Sequence, residues 1–274
     1  MKLGIDIGGT TINIGIVDGK QLVSKYTVPS FEKDMTMEET LCYLCKQMSP
    51  YVDSGIESIG IGVPSVVDIE KGIVYDAANI PSWREVHLKE YVERRFGVPV
   101  SVNNDANCYT IGAAAITGAA HDEIFVGVTL GTGVGIGVIS NGHILNGANT
   151  GLGELTWIPF QGKPIEYWCG KQFFCDLGKT PAEFYELAKG GDSEALELFK
   201  KYGRYLAALL AMVVSAYDPH MVVFGGGLSN SHDLFEDAML ERLKEIFPFP
   251  ESVKNLRVSY LTQSDAAICG AALL

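Results

Sequence analysis

The sequence predicts an α/β protein made of two duplicated α/β domains that face each other across a cleft. Three observations predict it. A strand–glycine turn–strand pattern occurs twice, about 120 residues apart, which is a domain-sized spacing and too long for a solenoid repeat. Hydrophobic residues make up 47% and charged residues 20% of the 274, enough apolar material for a large core. Strand-like and helix-like patterns then follow one another with no low-complexity linker between them.

The first copy of the pattern is GIDIGGTTINIGIVDGK at 4–20 and the second is GVTLGTGVGIGVISNG at 127–142. Gly4, Ile7 and Gly8 match Gly127, Leu130 and Gly131. After a one-residue deletion, Ile14-Gly15-Ile16-Val17 match Ile136-Gly137-Val138-Ile139. Cys42 and Cys45 fall in a helix-like stretch with Leu41, Leu44 and Met48. With no second CxxC, core packing is favoured there over zinc or redox chemistry. Residues 56–63 alternate as a strand that leads into Pro64. Over 85–96, Val86, Leu88, Tyr91, Val92 and Phe96 keep helical spacing, and Gly97 ends the run. A short strand is expected at 98–102, followed by an alanine-rich helix from Asp105 toward Gly118. A long apolar helix follows at 194–217, then a strand entering a glycine turn at 221–229 and a small helix at 265–274. The domains are expected at 1–112 plus 263–274 (the smaller) and 113–262 (the larger), closely packed about a hinge near 104–118.

The 21 basic and 33 acidic side chains leave a formal charge of −12. Nucleic acid and anionic membranes both need a basic face, so neither is expected as a partner. No apolar run reaches membrane-spanning length, and Asp6 comes too early for a secretory signal, so a cytoplasmic chain is expected.

Three turns could cradle phosphate: 6–11 (DIGGTT), 130–135 (LGTGVG) and 225–229 (GGGLS). Glycine lets backbone amides approach an anion, and threonine hydroxyls add donors. Any one of them could be a plain hairpin turn, but three, two of them related by duplication, point to a nucleotide. The chain contains no GxGxxG, and Gly178-Lys179-Thr180 lacks the upstream glycine of a P-loop because Phe173 stands there. None of the three turns contains lysine or arginine, and the first contains Asp6. A carboxylate beside a triphosphate implies a bridging divalent cation, Mg²⁺. The alternative for Asp6 is a hairpin aspartate with no metal nearby.

Residues 101–108, SVNNDANC, follow a strand and open a helix. At a helix N-terminus the dipole and free amides favour an ionised Asp105, so that residue could serve only as the cap. Asn103, Asn104 and Asn107 crowd it with neutral hydrogen-bonding groups that suit a polyhydroxylated ligand. Spacing alone leaves cap and catalytic base equally open.

Together these residues resemble the ROK family of sugar kinases and related repressors, within the actin-like ATPase (ribonuclease H-like) superfamily. The resemblance spans nearly the whole chain. It is carried by the turn 6–10, by GIGVP at 60–64 with Asp68, by NIPSW at 79–83, NNDAN at 103–107, LGTGVG at 130–135, GLGE at 151–154 and the Gly225 turn. It implies ATP- and Mg²⁺-dependent phosphorylation of a hexose, by default glucokinase-like and at the 6-hydroxyl. Asp105 would then be the base, with Asn104 on neighbouring hydroxyls and Glu154 near the anomeric end. The sugar loop would include Ser65, where glycine is usual, and Asn79. Asp6 would organise Mg²⁺, with Gly8, Gly9, Thr10 and Thr11 on the phosphates. Gly131, Thr132 and Gly133 would serve from the other domain, and Gly226 and Gly227 would lie by the nucleotide. A homodimer is also implied.

Family members commonly carry a zinc motif, GExGH followed by CxCGxxGCxE, and this chain departs from it at nearly every ligand. Trp157 stands at the histidine, Tyr167 at the first cysteine and Phe174 at the third, while Cys169 survives and Cys175 is shifted by one. Two candidate ligands cannot make a four-coordinate structural site, so no zinc is expected. Asp176 occupies the place of the motif's closing glutamate, one methylene shorter. Trp157 could stack on a sugar face but cannot accept a hydrogen bond. The altered shell keeps an N-acetylhexosamine or glucoside kinase open as the alternative. A sugar-responsive repressor is disfavoured because the first phosphate turn starts at residue 6. A non-catalytic sugar sensor remains a third reading.

Overall fold

The chain is described by a computed structural model covering residues 1–274 except 53, 54, 78, 149, 263 and 264. It opens with β1 (Lys2–Ile7), β2 (Thr11–Asp18), β3 (Gln21–Pro29), α1 (Met37–Val52) and β4 (Ser58–Val63). A small three-stranded sheet of β5 (Val66–Asp68), β6 (Ile73–Tyr75) and β7 (Glu85–His87) precedes α2 (Leu88–Phe96), β8 (Val100–Asn104) and α3 (Asp105–Thr117). The second half contains β9 (Phe125–Leu130), β10 (Val134–Ser140), β11 (His143–Ile144), the short pair β12 (Pro159–Phe160) and β13 (Lys163–Pro164), then α4 (Ile165–Cys169) and α5 (Gln172–Cys175). It continues through α6 (Pro181–Lys189), α7 (Ser193–Tyr217), β14 (Met221–Gly225), α8 (His232–Ile246), α9 (Pro250–Lys254), β15 (Arg257–Tyr260) and α10 (Ala266–Ala272). The helical pattern read over 85–96 starts three residues later, because 85–87 pair with β6 as a strand.

The duplication is visible in topology and in register. One five-stranded sheet has the order β3-β2-β1-β4-β8 and the other β11-β10-β9-β14-β15, each with two antiparallel pairings followed by two parallel ones. The matched glycines are cross-strand partners in both hairpins: Gly4 lies opposite Gly15, and Gly127 opposite Gly137. Paired glycines leave a bare strip on the sheet where a helix can touch backbone.

The helices that use these strips are exchanged between the sheets. α3 leaves β8 of the first sheet yet lies on β9 and β10 of the second, where a Cβ at Gly127 or Gly137 would overlap the Thr110 hydroxyl. α10 follows β15 of the second sheet yet lies on β1 and β4 of the first, where a Cβ at Gly4 would overlap the Ile268 carbonyl. The two helices also cross in backbone contact: a Cβ on Gly112 would run into Ala266 O, and one on Gly270 into Cys108 O. α3 is built of small residues and buried on most sides, which is why it has no polar face. The expected domain boundary between 112 and 113 falls inside α3, and the one at 263 lies outside the described residues.

Each sheet has its own core. Leu3, Ile5, Ile12, Ile14, Ile61 and Trp83 fill the first, and the Trp83 indole N–H donates to Thr40 Oγ1 at 2.7 Å. In the second, the segment resembling a zinc motif is aromatic core. Phe174 is fully buried against Phe173, Phe184, Phe199 and Tyr202. The Tyr202 hydroxyl donates to Cys169 O at 2.7 Å. Cys169 is buried with a free thiol, and burial pushes that thiol's pKa up.

Two substitutions test this packing. Gly270→Ala places a methyl against backbone that cannot rotate away, so stability in urea denaturation should fall by about 3 kcal/mol. Phe174→Ala should cost about 3–5 kcal/mol by the same measurement, because no solvent route relieves the cavity.

Candidate active site

A cleft of about 710 Å³ opens between the two sheets. Its walls include Gly8 and Gly9 from the β1–β2 turn, Gly131, Thr132 and Gly133 from the β9–β10 turn, and Gly226 after β14. Gly226 has φ of 85° and a Cβ there would overlap Leu130 O, so only glycine lets the two loops meet. The Gly8 amide donates to Thr11 O and the Gly131 amide to Gly133 O, each at 2.9 Å. Those two amides therefore shape their own turns instead of offering themselves to a ligand. Asp6, Thr10, Thr11 and Gly227 do not line the cleft. Thr10 and Thr11 instead present carbonyls to Ser30 N and Gly8 N, each at 2.9 Å.

The asparagines of 103–107 sort out the question of the cap. Asn104 Oδ1 accepts from Ala106 N at 2.9 Å and from Asn107 N at 3.3 Å, so Asn104 caps α3. Its Nδ2 donates to Ser65 O at 3.3 Å, which ties the cap to the loop after β4. Asn103 Oδ1 accepts from Asn104 N at 2.8 Å and from Asn107 Nδ2 at 3.0 Å, so these groups brace the turn from behind. Asp105, the first helical residue, is relieved of capping and lines the cleft.

The helix N-terminus favours an ionised Asp105, and other effects oppose it. Its Oδ1 accepts from Ala106 N at 2.8 Å, which lowers the pKa, but burial first and then the charges of Asp6 and Glu154 push it up to about 7. Asp6 is itself raised by burial, against the hydrogen bond from Asn13 Nδ2 at 3.2 Å and the nearby Lys25 ammonium. Asn13 is in turn oriented by Thr27 Oγ1, which donates to its Oδ1 at 2.9 Å.

Ser65, Asn79, Glu154 and Trp157 all line the cleft. Ser65 Oγ donates to Tyr75 O and is engaged by the protein, while Trp157 is 65% exposed. Glu154 heads a 3₁₀ turn, Glu154–Trp157, and its pKa is raised by burial and by Glu166, with the Trp157 indole opposing. Asp176 is not brought to the cleft. At the end of α5 its carboxylate accepts from Tyr167 OH at 2.7 Å and from Gln172 Nε2 at 2.5 Å, with Lys163 Nζ 3.9 Å away. The carboxylate that does arrive from this segment is Glu166, which sequence reasoning missed. Its Oε1 accepts from Val134 N at 3.1 Å, and it sits so near Gly133 that a Cβ there would overlap it. No motif or spacing in the sequence marks Glu166.

The donor set can be tested against Mg²⁺ and a nucleotide. Asp76, Asp105, Glu154 and Glu166 line the cleft, and among the described residues no lysine, arginine or histidine does. Phosphates entering this field need a divalent cation, and oxygen donors suit magnesium. Among the described residues no group of three or more His, Cys, Asp or Glu side chains could hold a metal.

Two glycine turns facing across a cleft, each from one copy of a duplicated sheet, with an aspartate at the helix between them, define the class of protein. The ROK family pattern matches residues 2–274, and the chain belongs to that family and has its actin-like ATPase fold. It is 30% identical to a glucokinase of Halalkalibacterium halodurans, over 89% of this chain and 84% of that one. It is 27% identical to an N-acetyl-D-glucosamine kinase of Photobacterium profundum, over 93% and 94% respectively. Among solved structures it is similar to a ROK family glucokinase from Streptomyces griseus in complex with glucose and AMPPNP. That match has a TM-score of 0.81 and 27% identity, covering 99% of this chain and 97% of the other. No helix among the described residues is long and apolar enough to cross a membrane.

The raised Asp105 pKa has a consequence for stability. Between about pH 4 and 7 the folded chain holds a proton that the unfolded chain releases, so stability falls as pH rises through that window. Asp105→Asn should therefore raise the melting temperature at pH 8 by about 2–6 °C, an advantage that vanishes below about pH 4 in the same thermal scan.

Proposed function

We propose that this ROK-family kinase transfers the γ-phosphoryl group of ATP to the 6-hydroxyl of a hexose, with Asp105 as the base. The single observation that carries the reading is the placement of Asp105. A separate residue caps its helix, leaving its carboxyl in the cleft between the two glycine turns. The bond made joins the sugar oxygen to the γ-phosphorus, the bond broken frees ADP, and the hydroxyl proton passes to Asp105.

The β1–β2 turn, the β9–β10 turn and Gly226 would lie along the nucleotide. Mg²⁺, with Asp6 acting on it only indirectly because that residue does not line the cleft, would supply neutralisation of the phosphate charge where the cleft offers no cation of its own among the described residues. Glu154, Asn79 and Trp157 line the cleft; Glu154 would accept from sugar hydroxyls, Asn79 would accept or donate, and Trp157 would offer an apolar face to a pyranose ring. Asn104 acts mainly by positioning, since both ends of its amide are engaged. Positioning should contribute most, because phosphoryl transfer has a loose transition state with little proton movement until late.

Two results are expected. Asp105→Asn should lower kcat at least about 10³-fold in a coupled ADP assay while calorimetry still detects sugar binding; retained turnover would remove Asp105 as base. In the unmodified protein kcat/KM should fall about tenfold per pH unit below about pH 7 and level off above it, because the free chain must lose the Asp105 proton before it can accept another.

A further inference from the structure

The small three-stranded sheet has an open edge inside the molecule. Its order is β5-β6-β7, so β5 pairs on one side only. Val67, in the middle of β5, is buried in the first core, and its outward backbone groups need a partner within the protein. That partner comes from the other half of the chain. Thr150 Oγ1 accepts from Val67 N at 2.8 Å and donates to Val67 O at 3.4 Å. One hydroxyl thus serves the donor and the acceptor of a single residue, which only a group able to do both can achieve.

The segment that leads from β11 to Glu154 is fastened a second time. Asn146 Oδ1 accepts from Asn103 Nδ2 at 3.2 Å and from Asn107 Nδ2 at 3.3 Å. Asn103 belongs to β8 of the first sheet and also braces the start of α3 through Asn104 N. Thr150 is buried, and its φ of 52° is a left-handed conformation that a β-branched residue rarely adopts. Strain of this kind persists only where surrounding contacts hold it, and the bonds to Val67 are contacts of that sort.

The clasp joins the two walls given to the acceptor. Val67 follows Ser65 and Val66 in the first half, and Thr150 leads through Leu152 and Gly153 to Glu154 in the second. Ser65, Val66, Thr150 and Glu154 all line the cleft. Neither Val67 nor Thr150 belongs to the β1–β2 turn, the β9–β10 turn or Gly226, the parts given to the nucleotide. We propose that Thr150 is a positioning residue for the acceptor, clasping the segment before Glu154 onto β5 so that both walls of the sugar site stand in register with Asp105. This deepens the kinase reading and rests on it for the identity of the ligand. Without the hydroxyl, the buried Val67 amide loses its partner. The segment then undocks to hydrate that amide, and sugar binding must first restore the docked arrangement.

The test compares Thr150→Val, which keeps the branched shape and removes the hydroxyl, with Thr150→Ser, which keeps the hydroxyl. KM values for D-glucose, N-acetyl-D-glucosamine and ATP come from ADP release, and sugar Kd values come from calorimetry. Hydrogen exchange of a peptide containing Val67 reports the clasp itself. Thr150→Val is expected to raise the KM and Kd of the sugar that binds at least about tenfold, with faster exchange at Val67. Its KM for ATP and its kcat at saturating sugar should stay within about twofold, and Thr150→Ser should restore the sugar constants. If Thr150→Val does not fold, Thr150→Ala is read in its place. An unchanged sugar Kd, equal losses for sugar and ATP, or a serine variant no better than the valine one overturns the inference and leaves the kinase reading standing. If the unmodified protein binds a sugar without releasing ADP, the kinase reading falls, and the ratio of sugar Kd values still decides the role of Thr150. Binding of neither sugar would overturn both.

Discussion

The crossing of α3 and α10 at Gly112 and Gly270 is the contact on which the rest of the architecture depends. Each helix grows out of one sheet and lies on the other, so the sheets can face each other only if the two helices pass at backbone distance. A side chain at either glycine would wedge them apart. The same arithmetic explains the paired glycines in the two hairpins, because each exchanged helix needs a bare strip to lie on. The exchange also brings the N-terminus of α3, and Asp105 with it, from the end of the first sheet to the mouth of the second. An aspartate between two glycine turns is thus a by-product of how the duplicated units interlock.

Electrostatics then sets the character of the cleft. The chain places carboxylates on both walls and no basic side chain among the described residues that line it. Asp105 alone shows the effect: the amides of its helix favour charge, yet burial and the Asp6 and Glu154 carboxylates outweigh them. Binding and chemistry are then linked through the same field, since whatever neutralises the walls also makes the aspartate easier to ionise.

The segment after Glu154, which resembles a zinc motif in sequence, is held by aromatic packing. Phe174 and Tyr202 fill an aromatic core, and Tyr202 fastens the chain at Cys169 O. From this base two contacts reach the β9–β10 turn: Lys171 N donates to Gly131 O at 3.0 Å, and Val134 N donates to Glu166. The segment therefore supports the β9–β10 turn while adding one carboxylate to the cleft wall.

Much of this was legible in the chain itself. The duplication could be read because glycine is needed wherever backbones touch, so both hairpins keep the same spaced glycines. The cap-like run 101–108 and the αL glycines at 97 and 118 marked helix ends for equally local reasons. Residues whose role depends on distant neighbours could not be read this way. Asp176 occupies the right place in the linear motif, but Tyr167 and Gln172 draw it outward, while Glu166, with no signal at all, is turned inward by the Val134 amide. Sequence by itself determined the two glycine-turned sheets and the aspartate between them, because local backbone geometry and residue period suffice for those. Which carboxylates share the cleft, and how far they raise one another's pKa, only the tertiary structure decided, because charge acts through space and not along the chain.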